Sequence, residues 1–211
     1  GLADVGTYLV HDGDTWATIA RLKKEHADIG IAMNPSPTEL GILYNAGTGH
    51  VSVFNHPSFI GRAFRFFLRR ATAVPYQPGE YVPRQFLNLL KPFGIASNDA
   101  HPRLAVDAAV LKKVKATSPE KFAVIAPGAG HSYKEWPRDR FDAVAAYLQD
   151  KYDLPSIFVG ATETLEELKA IVSFATVVIA NDSGVIQIAR AFDIPTLVIA
   201  GATDWREHHI P

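Results

Sequence analysis

The sequence contains no cysteine, and this absence excludes several kinds of chemistry. A chain of 211 residues without a thiol forms no disulfide, binds no metal through thiolates and has no cysteine nucleophile. No apolar run approaches the roughly 18 residues that cross a bilayer, and the first residues lack a basic stretch followed by a hydrophobic block. We therefore expect a cytoplasmic protein.

The chain also has no excess of charge of either sign. It contains 21 Lys and Arg against 22 Asp and Glu, which gives a formal net charge of -1. Surfaces that bind nucleic acid broadly are normally basic, so we expect no nucleic-acid partner. A hydrophobic fraction of 47% and a charged fraction of 20% are typical of globular domains. The length permits one large domain or two of modest size.

What the sequence does contain is a regular alternation of strand-like and helix-like segments. In the first half, apolar periodicity predicts strands over 5–10, 29–33 and 50–54 and helices over 14–26, 39–45, 84–93 and 106–114. Residues 73–83, which are rich in proline and polar side chains, are predicted to form a loop. This order is typical of the α/β class with parallel sheets.

The second half repeats the alternation with stronger strands. It predicts strands over 121–126, 156–160, 177–180 and 196–200 and helices over 138–150, 165–174 and 185–192. A polar linker near Thr117-Ser-Pro119 precedes the first of these strands, so we place a domain boundary there. The predicted domains are therefore 1–117 and 118–211.

The most informative segment follows the strand over 121–126. A small-residue loop runs from Pro127 to Trp136, and Pro137 stands where a helix favours its first residue. Gly128 and Gly130 would let backbone N–H groups approach an anion, and Lys134 would add a full positive charge. The segment is therefore predicted to be an anion-binding turn.

A second polar turn, Asn181-Asp-Ser-Gly184, follows the strand over 177–180 and precedes the next helix. Ligands of parallel sheets bind at the carboxyl ends of the strands, so the two turns are predicted to form two walls of one site. Simple helix capping by Asp182 or Ser183 is an equally good interpretation of the second turn alone.

Five short motifs occur in an order that resembles glycosyltransferase family nine, the ADP-heptose:lipopolysaccharide heptosyltransferases. They are Ala126-Pro-Gly-Ala-Gly130, Lys134-Glu-Trp-Pro-Arg-Asp-Arg-Phe141, Ile157-Phe-Val-Gly-Ala161, Asn181-Asp-Ser-Gly184 and Gly201-Ala-Thr-Asp204. The resemblance implies two facing Rossmann-like domains in the GT-B arrangement. It also implies inverting, metal-independent sugar transfer, without a cofactor, from a nucleotide-diphospho-sugar to a lipid-linked glycan acceptor. The donor would be held mostly by the C-terminal domain.

Matched by position, the resemblance implies that Lys134 meets the phosphate or ribose of the donor and that residues 128–130 meet the diphosphate. Ser132 in the anion loop and Glu163 after a strand-end turn are further candidates for donor binding. The predicted donor residues are Gly128, Ala129, Gly130, Ser132, Lys134, Glu163, Asp182, Ser183, Gly184 and Gln187. The predicted acceptor residues, which follow a strand of the first domain, are Asn34, Ser36 and Thr38.

The chain departs from the family in ways that leave a second function open. It begins beyond the family's glycine-aspartate loop, which supplies the expected general base, so the sequence assigns no catalytic residue. Gln187 stands where the family has a histidine, and the helix over 165–174 follows Glu163 directly where the family has a further helix and strand. A non-catalytic protein that kept the nucleotide-sugar pocket is the alternative to a transferase.

Three other features have competing interpretations. The segment Phe59–Arg70 mixes aromatics with four arginines and is either a helix with one buried face or a peripheral contact with the inner membrane. His208 and His209 are adjacent, a spacing that rarely binds one metal ion, so we predict no metal site. Trp136 is predicted to anchor the loop by packing and not to stack on adenine.

Overall fold

The computed structural model describes residues 13–33, 36–55 and 71–201, which form two compact units. One unit contains the described residues up to Ala100, and the other contains those from His101 onward. Each is an α/β unit with a parallel sheet, as the alternation of segments predicted. No helix among the described residues is long and apolar enough to span a membrane.

The N-terminal unit contains a three-stranded parallel sheet in the order β1-β2-β3. Its elements are α1 (Thr15–Glu25), β1 (Ile29–Ala32), α2 (Pro37–Asn45), β2 (His50–Asn55), β3 (Ala71–Pro75) and α3 (Val82–Asn88). The core between the sheet and α2 is built from Leu40, Val51 and Val53, which are almost fully buried.

Local capping explains where the first two helices begin. The Asp14 carboxylate accepts the Ala17 N–H at 2.9 Å, which starts α1 at the next residue. At α2 the Ser36 hydroxyl accepts the Glu39 N–H at 3.1 Å, and the Glu39 carboxylate accepts the Ser36 N–H at 2.9 Å. This reciprocal capping box starts α2 at Pro37, two residues before the predicted start.

Two predictions for the N-terminal unit were wrong. Part of the predicted loop over 73–83 belongs to β3, which pairs with β2 in parallel from Val51↔Ala71 to Asn55↔Pro75. This strand is short, lies at an edge of the sheet and buries none of its residues fully, so it lacks the apolar signal of an interior strand. The helix predicted over 84–93 stops at Asn88 and is followed by a 3-10 turn (Lys91–Phe93).

The C-terminal unit contains a four-stranded parallel sheet in the order β5-β4-β6-β7. Its elements are α4 (Ala108–Thr117), β4 (Ala123–Ala126), α5 (Arg138–Tyr152), β5 (Ser156–Phe158), α6 (Leu165–Val172), β6 (Val177–Asn181), α7 (Gly184–Ala191) and β7 (Thr196–Ile199). All of these strands and helices were predicted, with ends that differ by a few residues.

The strand order places the helices of this unit on both faces of its sheet. The chain moves one way from β4 to β5 and the other way from β5 to β6, and right-handed crossovers then put α5 and α6 on opposite faces. Successive side chains of β4 point to opposite faces of the sheet and support this placement of the helices. Val124 packs with Val172 of α6, whereas Ile125 packs with Phe141 of α5. Helix α7 shares the α6 face.

The boundary between the units differs from the one predicted near Thr117-Ser-Pro119. It lies between Ala100 and His101, so α4 belongs to the C-terminal unit. The reason is that α4 packs on α6, where the Lys113 ammonium lies 3.5 Å from the Glu167 carboxylate. A polar linker therefore precedes β4 without separating two units.

Candidate functional site

A cavity of about 650 Å³ opens beyond the carboxyl ends of β4 and β5, between α6 and α7. Its walls are mostly apolar and include Val159 after β5, Leu165 and Leu168 of α6, and Val185 and Ile188 of α7. Parallel sheets bind ligands at this edge, because the loops that leave the strand ends converge there. The cavity is therefore the first candidate for a ligand site.

Residues from both predicted turns line this cavity. Gly128 and Ala129 come from the turn after β4, and Ser183 and Gly184 come from the turn after β6. Strands β4 and β6 are hydrogen-bonded neighbours, so their carboxyl ends bring the two turns together. Four of the ten predicted donor residues thus share one cavity.

The loop between β4 and α5 is closed by a residue that sequence reasoning missed. Asn181, at the end of β6, is fully buried. Its side-chain amide donates to the Pro127 carbonyl, and its Oδ1 accepts the Trp136 N–H at 3.0 Å. Because Pro127 and Trp136 are the two ends of the loop, one side chain joins both ends. A buried amide after an apolar strand was the available signal, since buried polar groups need partners.

Two further contacts hold the same loop. The Glu135 carboxylate accepts the Ala129 N–H at 3.2 Å across the inside of the loop. The Trp136 ring packs edge-on against Phe141 of α5, with ring centroids 5.1 Å apart. The tryptophan therefore anchors the loop against the core, as the sequence predicted.

Lys134 connects the first turn to the second. It ends the 3-10 turn Ser132–Lys134, and its Nζ lies 3.4 Å from the Asp182 carboxylate. The side chains are only 22% and 12% exposed, so water screens this ion pair less than one on the open surface. The predicted free positive charge is thus already paired with a carboxylate, and neither residue lines the cavity.

The start of α7 has the features of an uncapped helix. Ser183 occupies the N-cap position, but its side chain makes no capping hydrogen bond. Its hydroxyl oxygen is buried and has no hydrogen-bond partner in the part of the chain that the structure describes. Capping therefore does not explain Ser183. Gly184 and Val185, which begin α7, line the cavity, and the N–H groups and positive dipole end at the start of a helix favour an anion.

The glycines of the two turns have open space in front of them. A Cβ added at Gly128, Gly130 or Gly184 would meet no heavy atom within 4 Å, and none of the three has a left-handed backbone. The packing of the protein therefore does not require glycine at these positions. At Gly128 and Gly184 the open space belongs to the cavity.

A buried ion pair that the sequence analysis did not single out also lines the cavity. Lys169 of α6 is 3% exposed, and its Nζ donates to the Glu166 carboxylate at 2.7 Å. Burial opposes the charge on Lys169, but the hydrogen bond and charge of Glu166 outweigh it and raise the pKa of the lysine. The hydrogen bond from Lys169 lowers the pKa of Glu166. Position 169 falls on the apolar stripe of α6, which was the available signal.

The Glu163 carboxylate is hydrogen-bonded within its own turn. Its Oε2 accepts the N–H groups of Gly160, Ala161 and Thr162 at 2.9, 3.2 and 3.3 Å. Burial raises the pKa of this carboxyl, but the backbone hydrogen bonds more than compensate and lower it below its usual value. Glu163 does not line the cavity.

The other predicted donor residues lie near the cavity without lining it. Ser132 lines a neighbouring, shallower depression of about 420 Å³ together with Gly128 and Trp136. Gly130 is exposed in the loop, and Gln187 is half-buried in the first turn of α7.

The predicted acceptor residues belong to the N-terminal unit. Asn34 lies outside the described residues, and Ser36 is the N-cap of α2. Thr38 is exposed in the first turn of that helix. The segment Phe59–Arg70 and the pair His208-His209 also lie outside the described residues, as does the strand predicted over 5–10. Within 13–33, 36–55 and 71–201, no group of three or more His, Asp or Glu side chains could hold a metal ion.

Comparison with known proteins finds one family model that matches the chain. The sequence profile described as "Glycosyltransferase family 9 (heptosyltransferase)" matches residues 15–163. No curated protein matches the sequence significantly.

Solved structures share the fold at low sequence identity. The Escherichia coli ADP-heptose LPS heptosyltransferase II is similar with a TM-score of 0.72 and 16% identity, over 92% of this chain and 69% of that chain. A family 9 glycosyltransferase from Veillonella parvula DSM 2008 is similar with a TM-score of 0.70 and 13% identity, over 96% of this chain and 68% of that chain. The E. coli heptosyltransferase WaaC, solved with ADP, is similar with a TM-score of 0.62 and 15% identity, over 89% of this chain and 68% of that chain.

Proposed function

The chain belongs to glycosyltransferase family 9, the heptosyltransferase family, and we propose that it transfers a heptose from an ADP-sugar to a lipopolysaccharide-type acceptor. The transfer would invert the anomeric configuration and would need no metal ion. The donor would bind in the cavity at the carboxyl edge of the C-terminal sheet. An acceptor linked to lipid would bring the enzyme to the inner face of a membrane.

The observation that carries this proposal is the uncapped start of α7 beside the buried Ser183 hydroxyl. Ser183 and Gly184 line one cavity with Gly128. A diphosphate supplies acceptor oxygens for the hydroxyl and for the first N–H groups of the helix, and its charge is favoured by the helix dipole. Among the described residues, the Ser183 hydroxyl has no hydrogen-bond partner and its side chain does not cap the helix.

This arrangement suits the chemistry of glycosyl transfer. When the bond between sugar and diphosphate breaks, negative charge accumulates on the leaving phosphate oxygen. Fixed N–H donors and a helix dipole stabilise such charge without reorganising, and a low-dielectric site increases their effect. The apolar walls beside the turns would exclude water from the reacting bond.

The size and polarity of the cavity fit a nucleotide. Its volume of about 650 Å³ lies within the range of small-molecule pockets, which are mostly apolar with a few placed polar groups. The apolar walls of α6 and α7 would contact the base, and the turns after β4 and β6 would contact the diphosphate. Structural neighbours that were solved with ADP and with ADP-2-deoxy-2-fluoro heptose support this assignment.

Calorimetric titration tests the donor site directly. We expect ADP to bind more tightly than GDP or UDP. We expect Lys134→Ala to weaken ADP binding about tenfold, or about 1.4 kcal/mol, because the Asp182 carboxylate would lose its lysine and repel the diphosphate. Lys151→Ala is the control, because Lys151 lies on the exposed face of α5 and contacts Tyr147. Failure of the folded protein to bind any of the three nucleotides would contradict the proposal.

A transfer assay separates catalysis from binding. The protein is incubated with ADP-heptose and a heptose-deficient lipopolysaccharide, with and without EDTA, and the product linkage is read by NMR. We expect transfer with inversion in both conditions. Tight ADP binding without any transfer would instead indicate a nucleotide-sugar-binding protein that kept the donor pocket.

A further inference from the structure

Lys169 has a chemical role that the proposed function does not yet assign. Resting on that function, we propose that Lys169 donates a hydrogen bond to the nucleobase of the donor and is therefore a determinant of which nucleotide binds. This role is supported by the burial of the lysine, by its pairing with Glu166 and by the apolar wall on which it lies.

The Lys169 ammonium is buried and makes one hydrogen bond to the described part of the chain. An ammonium group has three N–H donors and no acceptor. Within the described part of the chain, Glu166 is the one hydrogen-bond partner of Lys169. Since the residue is 3% exposed, bulk water does not readily satisfy the remaining donors. A buried donor without a partner destabilises the folded protein, so a ligand acceptor at this place would be favoured.

The Glu166 carboxylate directs the Lys169 ammonium and offsets its charge. The two opposite charges lie one turn apart on α6 and are joined at 2.7 Å. An anion placed there would meet the carboxylate as well as the ammonium. A neutral acceptor, such as a ring nitrogen or a carbonyl oxygen, gains the hydrogen bond without that repulsion.

The wall around Lys169 also favours a base over a phosphate. Lys169 lies on α6 beside Leu168, and across the cavity α7 presents Val185 and Ile188. A flat ring buries apolar surface against such side chains, whereas a phosphate would lose its hydration there. The groups suited to phosphate are in the turns after β4 and β6. The geometry therefore divides the cavity into a phosphate end and a base end, with Lys169 at the base end.

A pair of ligands distinguishes these roles. ADP contains the base, and inorganic pyrophosphate contains only the anion. Both are titrated by calorimetry into the wild type, into Lys169→Met and into the control Lys113→Met. The control removes an exposed lysine of α4 that is paired with Glu167 of α6, the helix that contains Lys169. We expect Lys169→Met to weaken ADP binding at least tenfold while pyrophosphate binding changes less than twofold, and Lys113→Met to change neither.

A ligand-side test avoids reliance on the variant. The wild type is titrated with 1-deaza-ADP, 3-deaza-ADP and 7-deaza-ADP, each of which lacks one ring acceptor. We expect one of them to bind at least tenfold more weakly than ADP. In Lys169→Met, if it folds with a native circular dichroism spectrum, that difference should disappear.

The outcomes separate this inference from the proposed function. Equal loss of ADP and pyrophosphate in Lys169→Met would make Lys169 a phosphate ligand and overturn the inference alone. Equal binding of ADP and all three deaza analogues to the wild type would overturn it as well. A folded wild type that binds neither ADP nor pyrophosphate would overturn the proposed function and the inference together.

Discussion

Replacing Asn181 with alanine tests whether one buried side chain fixes the loop over 127–136. The amide joins the Pro127 carbonyl to the Trp136 N–H, and no other side chain makes either contact among the described residues. Alanine removes both hydrogen bonds and leaves the carbonyl and the N–H without these partners. The packing of Trp136 and the hydrogen bond between Ala129 and Glu135 would still hold the loop, but its two ends would lose their shared partner.

The expected loss of stability follows from the two hydrogen bonds. Each contributes about 1 kcal/mol net, and an unsatisfied buried group costs about 1 to 3 kcal/mol. Pro127 and Trp136 are half-buried, so water can replace part of what is lost. We therefore expect Asn181→Ala to destabilise the C-terminal unit by about 2 to 4 kcal/mol. The same change should weaken ADP binding at least tenfold, because the loop positions Gly128.

Urea unfolding followed by tryptophan fluorescence measures the stability, and calorimetry measures ADP binding. Gln149→Ala is the matched control, because its exposed amide makes one hydrogen bond to Asp153 on the surface of α5. We expect this control to change stability by less than about 0.5 kcal/mol. Asn181→Asp should restore little, because its carboxylate can accept the Trp136 N–H but cannot donate to the Pro127 carbonyl.

Asn181 would have neither role if Asn181→Ala unfolded at the wild-type urea concentration and bound ADP with wild-type affinity. A variant that was destabilised but bound ADP normally when folded would show that Asn181 stabilises the unit without positioning the ligand site. Loss of binding together with a native circular dichroism spectrum would support the positioning role.

Three further substitutions test single residues of the two units. Gly128→Ala should weaken ADP binding at least threefold with little change in urea midpoint, whereas Gly130→Ala, which does not line the cavity, should bind normally in calorimetry. The pKa of Glu163 is lowered by folding, so its stabilisation is present above about pH 4.5 and disappears as the pH falls through the lower folded value. The stability difference between wild type and Glu163→Gln in urea should therefore be larger at pH 7 than at pH 3. Ser36→Ala should destabilise the N-terminal unit by about 1 kcal/mol in the same measurement.

Local patterns in the sequence predicted most elements of the fold. Strands β4 and β6 are buried along their length and have a continuous apolar run, which makes them easy to recognise. Edge strand β3 was missed because its residues are not fully buried and it ends at Pro75. The start of α2 was predicted two residues too late because the prediction did not include the capping box between Ser36 and Glu39.

The candidate site was predictable in its position but not in its contacts. Both turns follow parallel strands, so their meeting at one edge followed from the fold class. The role of Asn181 was not predictable in the same way, because its partners lie 54 and 45 residues away in sequence. The pairing of Lys134 with Asp182 spans 48 residues and likewise depends on the strand order β5-β4-β6-β7. Helical spacing places Lys169 on the buried face of α6, but spacing alone does not reveal that this face lines a cavity.

The ion pair between Lys134 and Asp182 bears on which ligand the site favours. Opposite charges about 4 Å apart attract by about 4 kcal/mol at an effective dielectric constant of 20, so the ammonium is not freely available to an incoming anion. A bare diphosphate that drew Lys134 away would leave the Asp182 carboxylate half-desolvated and next to negative charge. A sugar attached to the diphosphate offers hydroxyl donors that can satisfy this carboxylate at the same time. At the proposed donor site we therefore expect this pair to favour a sugar diphosphate over an isolated anion.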